Sequence, residues 1–494
     1  MYWNTLIDAG RLALTQTAEP EEWNKYDISE FEKDYKKIIA SSAFRRLQDK
    51  TQVFPLDKSD FVRTRLTHSL EVSMIAKQLG TMICTYLLNG KNNRTNCYCL
   101  QDVIPQHIGE ILMSAGLLHD LGNPPFGHFG ETVMGDWFKK HFADPSFLYN
   151  GKPISKLLSP QMRSDLEHFE GNAQSIRILL KSCIKNSSSD LDLTNAVIHT
   201  LIKYPTNSLN INLNSKDIKV HKMGYFHAEE KLVQLISTSS GTFNYGSISR
   251  HPLTFLLEAA DDIAYATGDV EDAFKKGLFS LDQFIAFYEN ELLQLMDRYG
   301  KAPAKGYELI SPLKVALENN NRTLEADAKS FNEWVKTARG WLMYCAAFGF
   351  TKHYSEIMNG QYTHDLFKDT FHELSIKALK KTMNQFAYHS SGIVKLELSA
   401  QTIISFLLDK MVRAVLYFAE EDKQDRQTAA DRKFIDLISE NYKNDYLNCK
   451  SYGNISEKEE SYNLYLRLLI VTDYISGMTD SFAKNLYQEL NGII

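Results

Sequence analysis

Helical periodicity is the feature that most constrains the fold of this chain. In three long segments, 66–88, 107–120 and 251–266, apolar residues recur at intervals of three and four, the spacing of one face of an α-helix. Alternating patterns typical of strands are scarce. One candidate, "SLNINLNS" at 208–215, predicts a short hairpin or β excursion. We therefore predict an all-α fold with at most a small β hairpin.

The chain is longer than a single ordinary core requires. It has 494 residues, without a visible internal repeat or a linker rich in Pro, Gly and Ser. After about residue 285 it changes to charged helices with few side chains suited to bind a metal. We predict a core unit at 1–285, with its motifs at about 65–265, and a C-terminal helical region at 286–494 packed on that core.

Charge and cysteine usage exclude several classes of protein. Lys plus Arg total 55 and Asp plus Glu total 61, so net charge gives no reason for tight binding to nucleic acid. Among six cysteines only Cys97 and Cys99 are close, at a spacing shorter than zinc sites use. There is no basic segment leading into an apolar one at the N-terminus, and no long apolar stretch. We expect a reduced, cytoplasmic protein that does not enter a membrane.

An apolar helix ends at an unusual pair of polar residues. His119 and Asp120 follow "AGLL" and come just before Gly122 and the pair Pro124 and Pro125, which stop a helix. An imidazole and a carboxylate at such an end can face a pocket without disturbing the core. Taken alone, the pair could also be an ordinary helix end with an incidental histidine.

A further polar residue lies on the apolar face of the helix at 66–88. His68 shares a face with Val72, Ile75 and Leu79, which predicts an imidazole that points inward. An inward histidine is more often a hydrogen-bonded core residue than a metal ligand.

The helix at 251–266 carries a second inward candidate. Asp261 lies at the edge of its apolar strip, whereas Asp262 lies nearly opposite. A carboxylate at a core margin is costly unless it is paired or bound to a metal. Tyr265 and Asp269 follow at i+4 and i+8, near the same strip if the helix continues.

These motifs occur in the order of a known family. "RLTHS" (65–69), "LLHDLGNPPFGHFGE" (117–131) and "EAADDIAYATGDVEDA" (258–273) resemble the H…HD…D pattern of the HD superfamily of metal-dependent phosphohydrolases. With "HFEGNAQSIRIL" (168–179) and "TDYISGMTDSFA" (472–483), the chain is similar to the bacterial deoxyguanosinetriphosphate triphosphohydrolases. The core unit would then be an HD-type helical domain.

The resemblance implies a metal site and a reaction. His68, His119, Asp120 and Asp261 would bind one divalent metal, Mn²⁺ or Mg²⁺. Two histidines and two carboxylates are independently a donor set suited to such ions. The implied reaction is hydrolysis of dGTP, and of other deoxynucleoside triphosphates as an option, to deoxynucleoside and inorganic triphosphate by attack of water at the α-phosphorus.

That reaction needs a proton for the leaving 5′ oxygen. His128 is the candidate acid, with Glu131 three residues later to orient it and keep it protonated. The same two residues could instead position the attacking water, and the sequence leaves both roles open.

The resemblance also implies contacts to the substrate. A triphosphate carries about four negative charges and needs cationic and N–H donors. A tight wall at C2′, for which Tyr265 is the candidate, would reject ribonucleotides. The implied contacts are Arg65, Lys203 and Lys222 to phosphate, Asn172, Tyr204 and Tyr265 as neutral donors, and Gln52 and Asp269 to the deoxyribose.

Other functions and partners stay open at this point. The alternatives are another HD phosphohydrolase, such as a phosphodiesterase or nucleotidase, and a non-catalytic sensor of nucleotides or single-stranded DNA. The complete ligand set argues against a sensor with a degenerate site. The resemblance implies a homo-oligomer, a hexamer or a tetramer, and a nucleotide or single-stranded DNA effector. It leaves base selectivity undecided.

Overall fold

The computed structural model of the protein is mainly α-helical, as the periodicity predicts. No helix in its described part combines the length and apolarity needed to cross a bilayer. Cys97 and Cys99 lie outside the described residues. The structure describes residues 1–12, 28–57, 59–88, 104–181, 191–244, 246–302, 305–318, 323–388, 391–452 and 459–493.

The helices run the whole length of the described chain. Those of the first part are α1 (Trp3–Leu6), α2 (Glu30–Ala40), α3 (Ser42–Arg45), α4 (Arg65–Leu88), α5 (Pro105–Leu118), α6 (Gly127–Ala143), α7 (Ile154–Leu157), α8 (Pro160–Glu167), α9 (Gly171–Lys181), α10 (Asn195–Leu201), α11 (Glu230–Ser239), α12 (Pro252–Ala264) and α13 (Val270–Lys275). Those that follow are α14 (Leu281–Tyr299), α15 (Gly306–Leu317), α16 (Leu324–Lys352), α17 (Tyr354–Met358), α18 (Glu373–Met383), α19 (Ser391–Val415), α20 (Ala429–Leu437), α21 (Glu440–Tyr452), α22 (Glu459–Ser476) and α23 (Asp480–Leu490).

The β structure differs in place from the prediction. Two small antiparallel hairpins occur, β1 (Leu148–Tyr149) with β2 (Lys152–Pro153) and β3 (Phe243–Asn244) with β4 (Ser247–Ile248). The hairpin predicted at 208–215 is wrong, because Ser208–Asn210 form a 3₁₀ turn. There the side chain of Asn207 accepts a hydrogen bond from the backbone N–H of Asn210, and such local bonds compete with strand pairing.

The centre of the fold is the packing of α4, α5 and α12 against one another. Val72, Ile75 and Leu79 of α4 are fully buried, and so is His68 on the same face. Helices α10 and α16 cover this group from two further sides. The three central helices therefore bring the ends that carry the polar candidates to one place.

Two hydrophobic cores occupy the described chain. The first runs from Trp3 through the central helices to Ile393. The second joins α6 and α8 to the C-terminal helices α19, α22 and α23. The division predicted at residue 285 does not coincide with a change of core in these residues, since α14 to α18 complete the first core, and it stays a prediction.

Candidate active site

Three helices each contribute one side chain to a compact cluster. His68 lies in the first turn of α4, His119 directly follows α5, and Asp261 lies in the last turn of α12. One potential ligand atom from each lies within 4.8 Å of the others. Asp261 Oδ1 is 3.2 Å from His68 Nε2 and 3.5 Å from His119 Nε2. The structure thus brings these three predicted ligands together.

The tautomer of His119 suits a metal ligand. Its Nδ1 lies 2.8 Å from the carbonyl oxygen of Gly116, so Nδ1 donates a hydrogen bond, and in the neutral imidazole the lone pair lies on Nε2. Nε2 is buried and has no hydrogen-bond partner in the described structure. A backbone carbonyl that fixes the tautomer in this way is a common support for histidines that bind metals.

Asp120 adjoins this cluster and is held by two neighbours. Its Oδ2 lies 3.5 Å from His119 Nε2. Oδ2 accepts a hydrogen bond from Nη1 of Arg65, and Oδ1 accepts one from the side-chain amide of Asn123. Arg65 is almost fully buried, so in this structure it orients a carboxylate of the cluster.

The cluster favours positive charge. Burial opposes protonation of His119, but the charges of Asp120 and Asp261 outweigh it and raise the pKa of that imidazole to about 9. The same balance applies to a bound cation, because a divalent ion would meet two carboxylates and two imidazole nitrogens at this point. The donor set therefore fits a divalent metal.

His128 and Glu131 form a second pair, near the start of α6. Nδ1 of His128 donates to Oε2 of Glu131 at 2.9 Å, and Oε1 of Glu131 accepts the backbone N–H of Gly171 at 3.0 Å. The side chain of His128 is 76% exposed while that of Glu131 is buried. Glu131 thus holds His128 by its Nδ1 and leaves Nε2, the other ring nitrogen, on the side away from Glu131.

The pair favours a protonated histidine. The hydrogen bond and the negative charge of Glu131 raise the pKa of His128. Burial opposes ionisation of Glu131, but His128 and Lys222 with the N–H of Gly171 outweigh it and lower the pKa of that carboxyl. A histidine held in this way can serve as a proton donor near neutral pH.

Close backbone approach explains the glycines of these motifs. Gly127, the first residue of α6, has a φ of 61°, and a Cβ there would lie 2.7 Å from a guanidinium nitrogen of Arg65. A Cβ on Gly171 would lie 2.3 Å from Asn123 Oδ1 and 2.5 Å from Glu131 Oε1. A Cβ would therefore clash with Asn123 and Glu131 at Gly171, and the positive φ would strain any other residue at Gly127.

The cluster and the pair open onto one cavity of about 600 Å³, within the range of small-molecule sites. His68 and Glu131 stand behind its wall, in contact with Asp261 and His128. Eleven of the predicted site residues line it: Gln52, Arg65, His119, Asp120, His128, Asn172, Lys203, Tyr204, Lys222, Asp261 and Tyr265.

The end of α12 departs from the prediction at two residues. Asp262, expected on the opposite side of the helix, also borders the cavity, where its carboxylate pairs with Lys380 at 2.6 Å. Asp269 is fully buried and is not among the lining residues. Asp269 is the last residue of a π-helical turn, Tyr265–Asp269, whose wider turn differs from the regular helix assumed for the i+8 spacing.

The C-terminal region supplies wall residues that the sequence analysis missed. Lys380 of α18 and Ile393 and Glu397 of α19 line the cavity. No motif marked them, since each lies in an ordinary helical pattern. Only their packing beside α12 and α6 reveals them.

Three lysines of the cavity each lie beside a carboxylate. Lys203 Nζ is 3.4 Å from Glu258, and Lys222 Nζ is 2.8 Å from Glu170. Burial favours neutral amines, but these carboxylates and their neighbours outweigh it and raise the pKa of Lys203, of Lys222 and of Lys380. The lysines therefore stay charged and available to a phosphate.

Known proteins resemble this chain along its length. An HD domain matches residues 65–166. A deoxyguanosinetriphosphate triphosphohydrolase-like protein of Listeria monocytogenes is 41% identical over 499 residues, with 100% of both chains covered. One of Synechocystis is 32% identical over 100% of both. The deoxyguanosinetriphosphate triphosphohydrolase of Yersinia enterocolitica is 31% identical over 94% of this chain and 95% of its own. The chain therefore belongs to the deoxyguanosinetriphosphate triphosphohydrolase family of the HD superfamily.

Proposed function

We propose that this phosphohydrolase converts dGTP, with other deoxynucleoside triphosphates as further substrates, to the deoxynucleoside and inorganic triphosphate. The observation that carries the proposal is that the His128–Glu131 pair opens onto the same cavity as the cluster of His119, Asp120 and Asp261. One cavity thus offers a site for a cation and, separately, a proton donor. Hydrolysis of a phosphoester with a poor leaving group needs both.

The metal ligands in this proposal are His68, His119, Asp120 and Asp261, and the ion is Mn²⁺ or Mg²⁺. When bound, such an ion lowers the pKa of a water and offsets charge on a phosphate. Arg65 and Asn123 hold Asp120 in place for it.

His128 acts on the leaving group. Since its Nδ1 is tied to Glu131, the proton moves from Nε2 to the 5′ oxygen as the bond between that oxygen and the α-phosphorus breaks. Water supplies the new oxygen on the α-phosphorus. Inorganic triphosphate, which contains that oxygen, then separates from the deoxynucleoside. The alternative role, in which His128 positions the water, requires the neutral imidazole instead.

The cationic wall would hold the triphosphate. Lys203, Lys222 and Arg65 line the cavity, and Lys380 adds a fourth positive charge from the C-terminal region. A bound triphosphate would replace the carboxylates that now neutralise the lysines, in charge-assisted hydrogen bonds of the same kind. Asn172 and Tyr204 add neutral donors on the same wall.

The sugar would lie against Gln52 and Tyr265, both on the cavity wall. Asp269 stays in the proposal as the acceptor for the 3′-OH. Both of its carboxylate oxygens are buried without a hydrogen-bond partner in the described structure, a costly arrangement that suggests a role beyond packing.

The product separates this function from the alternatives. With Mn²⁺ or Mg²⁺ and each deoxynucleoside triphosphate in turn, ³¹P NMR is expected to show inorganic triphosphate and no pyrophosphate, with dGTP turned over fastest. In H₂¹⁸O the label should enter the triphosphate, because water attacks the α-phosphorus. GTP is the matched control and should react more slowly.

Other outcomes would contradict the proposal. Pyrophosphate with a monophosphate would show cleavage of a different bond. Rapid hydrolysis of a phosphodiester without turnover of any deoxynucleoside triphosphate would favour the phosphodiesterase alternative. Binding of a nucleotide or of single-stranded DNA without turnover would favour the sensor.

The pH profile tests which role His128 has. Because Glu131 raises the pKa of His128, an acid role gives full kcat below that pKa and a fall as pH rises through it. Glu131→Gln removes the charge, lowers the pKa of His128 and should move this alkaline limb to lower pH. A shift confined to the acidic limb would contradict the acid role and favour the positioning of water.

Assembly, effector and location belong to the same proposal. The family likeness favours a homo-oligomer, a tetramer or a hexamer, in the cytoplasm, and a nucleotide or single-stranded DNA as effector. The formal charge of −6 gives no general attraction for DNA. Sedimentation velocity with and without dGTP or an oligonucleotide would test these points.

A further inference from the structure

The turn between α22 and α23 contacts the loops that form the active site. We call residues 476–480 the C-terminal turn; it follows the end of α22 at Ser476 and reaches the start of α23 at Asp480. Asp480, the last residue of this turn, accepts hydrogen bonds from Thr51 and Phe126. Both of these residues line the cavity.

Asp480 makes these contacts with both carboxylate oxygens. Oδ1 accepts the backbone N–H of Phe126 at 2.9 Å. Oδ2 accepts the backbone N–H of Thr51 at 3.1 Å and also the hydroxyl of Thr51. Asp480 is 2% exposed. A buried carboxylate thus links two separate loops of the cavity through charge-assisted hydrogen bonds.

Helix α23 does not depend on this carboxylate for its start. The helix is capped by Thr479, whose side chain accepts the N–H of Phe482. The oxygens of Asp480 point instead to residues 429 and 354 positions away in the chain. Their role therefore concerns the loops of the active site.

One of those loops needs outside support. Phe126 is the residue before α6 and has a φ of 63°, in the left-handed region that a residue with a Cβ rarely adopts. No side-chain cap holds the start of this helix. His128 follows two residues later, so the N–H of Phe126 bonded to Asp480 sets the direction in which His128 leaves the loop.

A second tether joins the same turn to the loop that contains Asp120 and Asn123. Lys50 is buried, and its Nζ donates to the carbonyl oxygens of Asn123 at 2.6 Å and Ser476 at 2.7 Å. Asn123 in turn hydrogen-bonds Asp120. The C-terminal turn is thus attached at two points, Asn123 through Lys50 and Phe126 through Asp480, within the segment that runs from Asp120 to His128.

We propose that Asp480 is a positioning residue: it holds Phe126 and Thr51 so that His128 faces the phosphoester bound at the metal site. This inference rests on the proposed function of His128. It predicts that loss of Asp480 slows the chemical step and leaves the binding of metal and substrate nearly unchanged.

The test compares Asp480→Ala and Asp480→Asn with the wild-type enzyme. We expect kcat to fall about 10- to 100-fold in Asp480→Ala, because small misplacements of a catalytic group cost rate. Asp480→Asn keeps an acceptor for the N–H of Phe126, so its kcat should lie between those of Asp480→Ala and the wild-type enzyme. The KM for dGTP and the Mn²⁺ affinity by calorimetry should change little. Amide hydrogen exchange should increase in peptides that contain Thr51 and Phe126.

Asp431 offers a matched control. It is also nearly buried, and one of its oxygens accepts the N–H of Thr428 at 2.8 Å and the Thr428 hydroxyl at 2.7 Å. These are the two kinds of bond that Thr51 makes with Asp480, but Asp431 does not line the cavity. Asp431→Ala and Asp431→Asn should lower the melting temperature and leave kcat unchanged.

The outcomes separate this inference from the proposed function. The inference is overturned if Asp480→Asn retains wild-type kcat, or if kcat falls only in proportion to Mn²⁺ affinity. If Asp480→Ala does not fold, Asp480→Asn decides. A wild-type enzyme that releases no triphosphate would instead overturn the proposed function, and the same variants would then be compared on whichever phosphoester bond the enzyme breaks.

Discussion

Asp120→Asn is expected to lower kcat by at least about 10³-fold, the order found when a group that stabilises charge in the transition state is removed. The amide cannot bind a divalent cation as the carboxylate does, so Mn²⁺ affinity should fall with the rate. Triphosphate release and Mn²⁺ titration calorimetry measure the two quantities. Circular dichroism should show unchanged helix content, since α5 ends before this residue.

The choice of asparagine matters because Asp120 is paired with the buried guanidinium of Arg65. Asp120→Ala would leave that charge without a partner, which typically costs about 3 to 5 kcal/mol of stability. Asp165→Asn is the matched control: Asp165 is fully buried and hydrogen-bonded to Ser208 and Tyr465, away from the cavity wall. The Asp165→Asn variant should keep full activity. Wild-type rate and Mn²⁺ affinity in Asp120→Asn would refute the metal assignment.

His128→Ala is expected to lower kcat by about 10²- to 10⁴-fold, the usual contribution of a general acid. The Mn²⁺ affinity should hardly change, because the nearest described partner of His128 is Glu131 and not a residue of the metal cluster. Since the side chain is exposed to the open cavity, added imidazole should restore part of the rate in His128→Gly. Single-turnover measurements would show whether the loss lies in the chemical step.

A histidine on the same helix serves as control. His141 lies in the last turn of α6, where its ring stacks on Trp137 with centroids 3.7 Å apart. His141→Ala should alter stability without altering kcat. If His128→Ala instead lost metal and rate equally, the acid role would be wrong and His128 would belong with the metal ligands.

The charges of the cavity are balanced internally before a substrate enters. Lys203 pairs with Glu258, Lys222 with Glu170 and Lys380 with Asp262. Burial raises the pKa of Asp262 and of Glu170. Burial opposes ionisation of Glu258 as well, but Arg250 and Lys203 outweigh it and lower the pKa of that carboxyl to about 2.

The metal cluster was predictable because local geometry governs it. The spacing of Val72, Ile75 and Leu79 determines which side of α4 is buried, and His68 shares that side. Helix α5 ends at Leu118, so His119 is its C-cap residue, at the helix end that Gly122, Pro124 and Pro125 predict. His128 and Glu131 are three residues apart on one helix, a separation at which side chains meet.

The failures mark the limits of the same reasoning. Asp269 was expected on a regular helix, whereas it lies at the end of a π-helical turn and is fully buried, so its contact with the sugar stays a prediction. Asp262 was assigned to the outside, although the cavity extends across more than one face of α12. The strand predicted at 208–215 became a 3₁₀ turn through a local side-chain bond.

Short-range sequence was thus sufficient for the helical class and for the inward direction of the predicted ligands and the His128–Glu131 contact, because periods of 3.6 residues and helix stops act over a few residues. Packing alone brought Lys380 and Glu397 to the cavity wall and Asp480 to the loops at Thr51 and Phe126. These contacts join parts of the chain hundreds of residues apart. They depend on how α18, α19 and α23 dock on the core, which no local pattern encodes.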